Sequence, residues 1–448
     1  MVFLKRRLLR HARIPLFQTI QFSSALLLTG CASSIDATKD VQSAQLLASE
    51  RLPVLIDASL VWNASDPLTV ESAITYAITH DALLQRDFSI IVQRRAEIAQ
   101  AELPANPTFG GAVGIAVDGL AGAPLIFQGI QNLSWLWTRP ERIAAAEQTL
   151  QQAILTAANR TIEVVSKVRQ AHFEVSTQMK LVALAQEDVQ LAKDAYAITQ
   201  EHAMVGEASE LTLDNTNVSL LEARYARKEQ QELFDFAVFI LLRTMGCPET
   251  TNIFAIIPQQ SPEQIRESEE SLFSFALDNR LDLATQKAVI QQRSAELGLA
   301  NPPLVSASVM FNENFSGRQA ILPGGEITIA LDGDAKEAVA QSKLKQAELT
   351  YIDSMRTIVF DVRKLYKAYA NSIDRLAIDE RVVLATQNAL QRALEANNRG
   401  ELDPLALIPI KRDLIRVKQL ALLDGLAVAI NSIQLEQAVG GTFKGIEQ

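Results

Sequence analysis

The longest uninterrupted pattern in the chain is helical. From Pro140 to about Gln200 there is no glycine and no further proline, and at 1.5 Å per residue such a stretch makes a rod of about 90 Å. Along it Ile154, Thr161, Val168, Val175, Val182, Val189 and Tyr196 recur every seven residues, and a second stripe repeats the pattern as Met355, Val362, Tyr369, Leu376, Val383 and Leu390. A strict seven-residue period predicts coiled-coil packing. Ala153, Ala157, Ala171, Ala185 and Ala192 flank the first stripe and permit close approach on a second face, as when each helix has a neighbour on both sides. An isolated two-helix coiled coil is the alternative.

Shorter segments follow another period. Thr108 to Asp118 and Ile126 to Trp137 read as one strand pair, with Phe109, Val113, Ile115 and Val117 in the first and Leu133, Trp135 and Trp137 on one parity of the second. Val305 to Phe311 and Glu326 to Leu331 read as another pair. Turns are expected at Gly119 to Pro124 and Ser316 to Gly325. Four strands are too few for a membrane barrel, which needs at least about eight, so closure requires several chains. Three chains would supply twelve. Trp135 and Trp137, before a long helix expected to start at Pro140, suit an aromatic girdle at a membrane interface. Burial inside a soluble sandwich is the other reading.

The two patterns belong to one unit used twice. Arg139 to Gly246 lies over Gly333 to Gly440, 194 positions on and without a gap, with about 20 identities, near twice what chance gives. Leu150, Gln152, Ala153, Leu155 and Thr156 fall on Leu344, Gln346, Ala347, Leu349 and Thr350; Val168-Arg169 falls on Val362-Arg363; Gly206-Glu207 falls on Gly400-Glu401. Upstream the offset becomes 199, where Gln93-Arg94 and Ala96-Glu97 lie over Gln292-Arg293 and Ala295-Glu296. The expected organisation is a first repeat over 67–246, a linker over 247–266, a second repeat over 267–440 and a tail over 441–448, preceded by a signal over 1–30 and a linker over 31–66.

The signal follows from charge and hydropathy. Lys5, Arg6, Arg7, Arg10 and Arg13 precede an apolar stretch from Ile14 to Leu28 that is too short and polar to span a bilayer, for which about 20 apolar residues are needed. It ends in Leu28-Thr29-Gly30-Cys31, which resembles the lipobox of bacterial lipoproteins, so Cys31 is expected to carry lipid; a plain signal with an incidental cysteine is the alternative. Ala32, in place of an aspartate, favours sorting to the outer membrane. The whole chain carries −10. Without residues 1–30 it keeps 37 basic and 52 acidic residues, net −15, which argues against a nucleic-acid footprint. Cys31 and Cys247 are the only cysteines, so neither a disulfide framework nor a tetrathiolate metal site is available.

Taken in order, these pieces resemble the TolC-like outer-membrane efflux factors. The resemblance covers about Leu68 to Gly440 and rests on the leading segment Leu68-Thr69-Val70-Glu71-Ser72-Ala73-Ile74, the Leu103-Pro104-Ala105-Asn106-Pro107 exit into the first strand, the duplicated unit and the glycine turns at Gly206 and Gly400. It implies a mainly α fold with a small transmembrane β part: long coiled-coil hairpins forming an α-barrel, and four strands per chain contributing to a trimeric twelve-stranded β-barrel. It further implies a passive efflux duct, spanning and lipid-anchored in the outer membrane, that works with a periplasmic membrane-fusion adaptor and an inner-membrane pump. The adaptor-docking tips would be Val205-Gly206-Glu207 and Arg399-Gly400-Glu401, and an aspartate at either glycine is expected to bury a charge in the turn. Where many relatives carry gate aspartates this chain reads Ala406-Leu407-Ile408-Pro409. Asp214, Asp403 and Asp413 are the remaining gate candidates.

Nothing in the sequence favours catalysis or a cofactor. His11, His80, His172 and His202 form no pair at metal spacing, and His172 is expected on a helix surface. Gly110, Gly111 and Gly114 lie in a strand pattern rather than opening a helix, so they make no phosphate loop. A periplasmic coiled-coil adaptor or scaffold lipoprotein, and the outer-membrane component of a type I secretion system, are the rival functions.

Overall fold

The computed structural model describes residues 35–52, 62–63, 65–104, 106–113, 125–133, 135–248, 255–259, 264–300, 305–313, 319–327 and 333–442. The chain runs α1 (Thr38–Ser49), α2 (Val70–His80), α3 (Ala82–Glu102), β1 (Thr108–Val113), β2 (Leu125–Asn132), α4 (Trp135–Met204), α5 (Glu210–Met245), α6 (Glu269–Asn279), α7 (Leu281–Ala300), β3 (Val305–Glu313), β4 (Gln319–Ile327), α8 (Gly333–Asn398) and α9 (Pro404–Ala438). These elements belong to one unit, Ala37–Gln448. Among the described residues no helix is long and apolar enough to cross a membrane.

Helix α4 has 70 residues and α8 has 66, so α4 is about 105 Å long. The heptad stripe is what buries α4: Ile154, Thr161, Val168, Val175 and Val189 are all buried, as are the flanking Ala153, Ala157, Ala171, Ala185 and Ala192. Two faces are covered because α4 has neighbours on two sides, α5 on one and α9 on the other. Helix α8 packs against α9 and, over part of its length, against α6 and α7, but among the described residues no long helix lies on its other side, and only Ala347, Ile358, Val362, Tyr369 and Ser372 of it are buried. The four helices form a layer in the order α5, α4, α9, α8, with α5 and α8 as its edges.

The layer is continued past two junctions built alike. Helix α5 ends at Gly246 with φ +76°, and a Cβ there would stand 3.0 Å from the His80 carbonyl oxygen, where α2 gives way to α3. Helix α9 ends at Gly440 with φ +92°, and a Cβ there would stand 3.0 Å from the Arg280 nitrogen, where α6 gives way to α7. Only glycine combines the left-handed backbone with so close an approach. Helix α3 thus takes the place beside α4 that α5 vacates, and α7 takes that of α9 beside both α4 and α8. Thr69 and Ser72 close a capping box on α2, and Asp81 caps α3 by accepting from the Leu84 amide at 2.7 Å.

Helix α1 straps the assembly. Asp40 accepts two hydrogen bonds from Arg95 of α3, at 2.5 and 2.7 Å, while Ala44 and Ala48 are buried. Just beyond α1 the Arg51 carbonyl accepts from the Thr442 amide at 2.9 Å, and the Arg51 Nη1 donates back to Leu47.

The strands form one antiparallel sheet in the order β1-β2-β3-β4, with the two repeats meeting where β2 pairs β3, Phe127 opposite Glu313 and Asn132 opposite Ser308. β1 and β4 are its edges. Three expectations need correcting. Strand β4 occupies Gln319–Ile327, where a turn was expected, because Pro323 lies on an edge strand and needs no donor on its outer side. Strand β2 stops at Asn132, so Trp135 and Trp137 lie in the first turn of α4, which starts five residues before Pro140; a proline this early costs little of the helical ladder. His172 is fully buried, because α4 is covered there by the Leu68 segment as well as by its coiled-coil neighbours.

Candidate functional site: hairpin tips and the seam between hairpins

Each long helix turns back at a tip of the same construction. At the first, the Glu207 and Gly206 amides donate to the His202 and Ala203 carbonyls at 2.8 and 3.1 Å, and Ser209 caps α5 by accepting from the Thr212 amide at 3.1 Å. At the second, the Glu401 and Gly400 amides donate to Ala396 and Asn397 at 2.9 and 2.8 Å, and Asp403 caps α9 by accepting from the Leu405 amide at 2.7 Å. Gly206 and Gly400 have φ +80° and +76° and satisfy the carbonyls at the helix ends as left-handed caps. A Cβ at either glycine would meet nothing within 4 Å. An aspartate there would therefore sit in solvent, and the expected cost of burying its charge does not arise.

The two tips differ in what they present. Val205 is 70% exposed beside Glu207, an apolar knob with one carboxylate. Arg399 instead clasps Glu401 through two hydrogen bonds of 3.0 Å, and Asn397 donates to the Leu402 carbonyl at 2.7 Å, which stiffens the second tip.

The three gate candidates lie apart. Asp214 is exposed on α5, Asp403 spends its carboxylate on the α9 cap, and Asp413 pairs with Arg416 one helical turn on, at 3.2 Å. The charged links between the hairpins are made by other residues, Arg169 of α4 donating to Glu436 of α9 at 2.6 Å and, nearer the tips, Arg412. Arg412 of α9 donates to both carboxylate oxygens of Asp188 on α4, at 2.6 and 2.9 Å, and to Ser219 Oγ of α5 at 2.7 Å. The bidentate carboxylate raises the guanidinium's affinity for its proton further, against the opposing effect of burial. Ala185, Ala223, Pro409, Arg412 and Gln230 line a groove of 530 Å³ at this point, between α4, α5 and α9. The sequence hid this link because Asp188 and Arg412 are 224 residues apart and neither recurs at its repeat position.

A further charged link, within the second hairpin, joins α8 to α9, where Arg375 donates to Asp424 at 3.0 Å. Burial, and then the neighbouring Asp424, hold the Asp379 carboxyl above its ordinary range. Trp135 is half-buried and Trp137 is 51% exposed. Cys31 lies outside the described residues, which hold no cluster of three or more histidine, cysteine or acidic side chains arranged to bind a metal.

Layered long hairpins beside a four-stranded sheet with two open edges define the fold of the TolC-like outer-membrane channels. The chain is similar to crystal structures of CusC, with a TM-score of 0.70 at 18% identity, covering 87% of this chain and 97% of that one. It is also similar to the open state of the Neisseria gonorrhoeae MtrE outer membrane channel, with a TM-score of 0.69 at 15% identity, covering 83% and 89%. In sequence it is 23% identical over 302 residues to the cation efflux system protein CusC of Escherichia coli, covering 62% of this chain and 64% of that protein. The match thus spans a little under two thirds of the length of this relative. No protein-family model matches the chain.

Proposed function

We propose that this protein is the outer-membrane channel subunit of an efflux system, a passive duct that three copies complete. The observation that carries the reading is a subunit left open in both of its layers. Its sheet ends in β1 and β4, and its helical layer ends in α5 and α8. Both helical edges are lined with exposed apolar side chains: Leu211, Val218, Tyr225, Phe236 and Phe239 on α5, and Val339, Leu349, Ile352, Phe360, Val382 and Leu384 on α8. Exposed strand edges and apolar stripes of this length are liabilities unless covered. Three copies give twelve strands, above the minimum of about eight and even in number. A scaffold needs no such sheet, which is why the duct is preferred to the adaptor reading; the subunit performs no catalysis and holds no cofactor.

In this reading the β part lies in the outer membrane, with Trp135 and Trp137 at its periplasmic border, and Cys31 carries lipid. The tips, Val205-Gly206-Glu207 and Arg399-Gly400-Glu401, face a periplasmic adaptor coupled to an inner-membrane pump. The Arg412–Asp188–Ser219 link holds the hairpins together near the tips and replaces Asp214, Asp403 and Asp413 as the choice for a gate. Native mass spectrometry of the detergent-extracted protein tests the assembly: a trimer is expected, and a stable monomer overturns the proposal.

A further inference from the structure

The internal repeat makes one contact inside the chain a template for a contact between chains. Helix α4 is flanked by its hairpin partner α5 and, across the seam, by α9. Its counterpart α8 is flanked by its own partner α9, with α6 and α7 packed against part of its length, and among the described residues no long helix lies on its remaining side. The side of α8 that lies bare corresponds to the side of α4 that meets α9, and the bare side of α5 corresponds to the side of α9 that meets α4. If copies close a ring, α8 of one must meet α5 of the next in the register already displayed by α4 and α9.

Several contacts mark that register. Arg412 meets Asp188, Arg169 of α4 donates to Glu436 of α9 at 2.6 Å, Phe173 packs with Leu426, Ala429 and Ile433, and, further along the layer, Gln152 of α4 donates to Gln292 of α7 at 2.8 Å. Moving each residue by the repeat offset, 194 for the long helices and 199 for α7 onto α3, gives the equivalent residues between subunits. The Arg412–Asp188 position becomes Val218 against Val382; Phe173 with Leu426, Ala429 and Ile433 becomes Lys367 against Glu232, Asp235 and the exposed Phe239; Arg169 with Glu436 becomes Arg363 against Leu242; Gln152 with Gln292 becomes Gln346 against Gln93.

We infer that these residues form the seam between neighbouring copies of this chain, with Val218, Glu232, Asp235 and Gln93 on one copy and Val382, Lys367 and Gln346 on the next. Three independent features support it. All seven side chains are exposed in the single chain, Val218 at 53% and Val382 at 41%. The mapping never opposes like charges: a cation meets two carboxylates, valine meets valine, and amide meets amide. At the Arg412–Asp188 position an ionic contact gives way to an apolar one, and at the Phe173 position two of the three apolar partners give way to carboxylates facing a cation. At these two places each helix face thus suits its own partner better than the other; the Arg169–Glu436 position, which becomes Arg363 and Leu242, does not follow the exchange.

The inference rests on the trimeric reading above, and its test separates the two. In a Cys247→Ser background the pair Val218→Cys and Val382→Cys is treated in membranes with a short bifunctional maleimide. Within one chain these positions are separated by three helix spacings of about 8–10 Å each, so the reagent links only different copies. Covalent dimers and trimers are expected, and neither single-cysteine variant should form trimers. The pair Leu211→Cys and Val382→Cys, one heptad or about 10 Å out of register, should give several-fold less product. Lys367→Glu should reduce the Val218–Val382 product several-fold, and adding Glu232→Lys with Asp235→Lys should restore it. If native mass spectrometry still finds trimers but the out-of-register pair links as well as or better than the Val218–Val382 pair, the seam is wrong and the trimer stands. If only monomers are found, both fall.

Discussion

Removing the Arg412 link, the one nearer the tips of the two between the hairpins, should release the start of α9 locally. Arg412 makes three charge-assisted hydrogen bonds, two to Asp188 and one to Ser219, with its side chain 34% exposed and that of Asp188 19% exposed. Fully exposed pairs contribute about 0–1 kcal/mol, and breaking a buried pair costs about 3–5 kcal/mol. A bidentate pair of intermediate exposure falls between them, at about 2 kcal/mol, or roughly a 30-fold change in a local opening equilibrium. The measurement is a double-mutant cycle on Arg412→Ala, Asp188→Ala and the pair, read by hydrogen exchange of the amides in residues 405–416. Each single variant should exchange roughly 30-fold faster in that segment, and the double variant little faster than either. Additive effects, within about 0.5 kcal/mol, would show that the two side chains act independently and that the link carries no coupling.

Four of the five described glycines with positive φ offer a contrast. Alanine at Gly206 or Gly400 should cost only the backbone penalty of about 1–2 kcal/mol and leave assembly intact, whereas at Gly246 or Gly440 it also meets backbone at 3.0 Å and should cost about 3 kcal/mol or more; thermal unfolding of the four variants ranks them. His172 is buried and its affinity for a proton is lowered, chiefly by burial, so its folded pKa lies below the unfolded value of about 6.5. As pH falls through that value the unfolded chain takes up a proton that the folded chain refuses, and stability is lost on the acid side. His172→Gln should therefore gain on the wild type between pH 7.5 and pH 5 in melting temperature; an unchanged difference rejects the assignment. Cys31→Ser should abolish metabolic labelling with palmitate, and labelling that survives removes the lipobox reading.

Much of the helical part was legible because its signals are strong. The heptad stripe of Ile154 to Tyr196 and its alanine flanks marked two packed faces, and both are filled, one by α5 and the other by α9. The strands were legible only in part. Pro323-Gly324-Gly325 carries a turn signal, and what overrides it is cross-strand pairing with Ser308 and Val309, a long-range partner that local sequence does not reveal. Heptad spacing puts His172 on a helix surface because it describes only the coiled-coil faces, and the cover over this residue comes from the Leu68 backbone, 104 residues away. The hairpin link at Arg412 is illegible for a related reason: Asp188 and Arg412 stand where the two repeats differ, with valine at both equivalent positions, so recurrence marks neither.

The meeting of Arg51 with Thr442 also bears on how the chain folds. It joins points separated by nearly the whole sequence, beside an α9 that forms one wall of α4. A polypeptide delivered from its amino end must therefore hold one flank of its first long helix uncovered until its last helix has arrived. Contacts of such separation close slowly, since the entropy of the loop is lost before any packing repays it. The interval in which this apolar flank stays bare is set by delivery of α9, so a chain ended before Pro404 should give an intermediate that aggregates or is degraded rather than a shortened subunit.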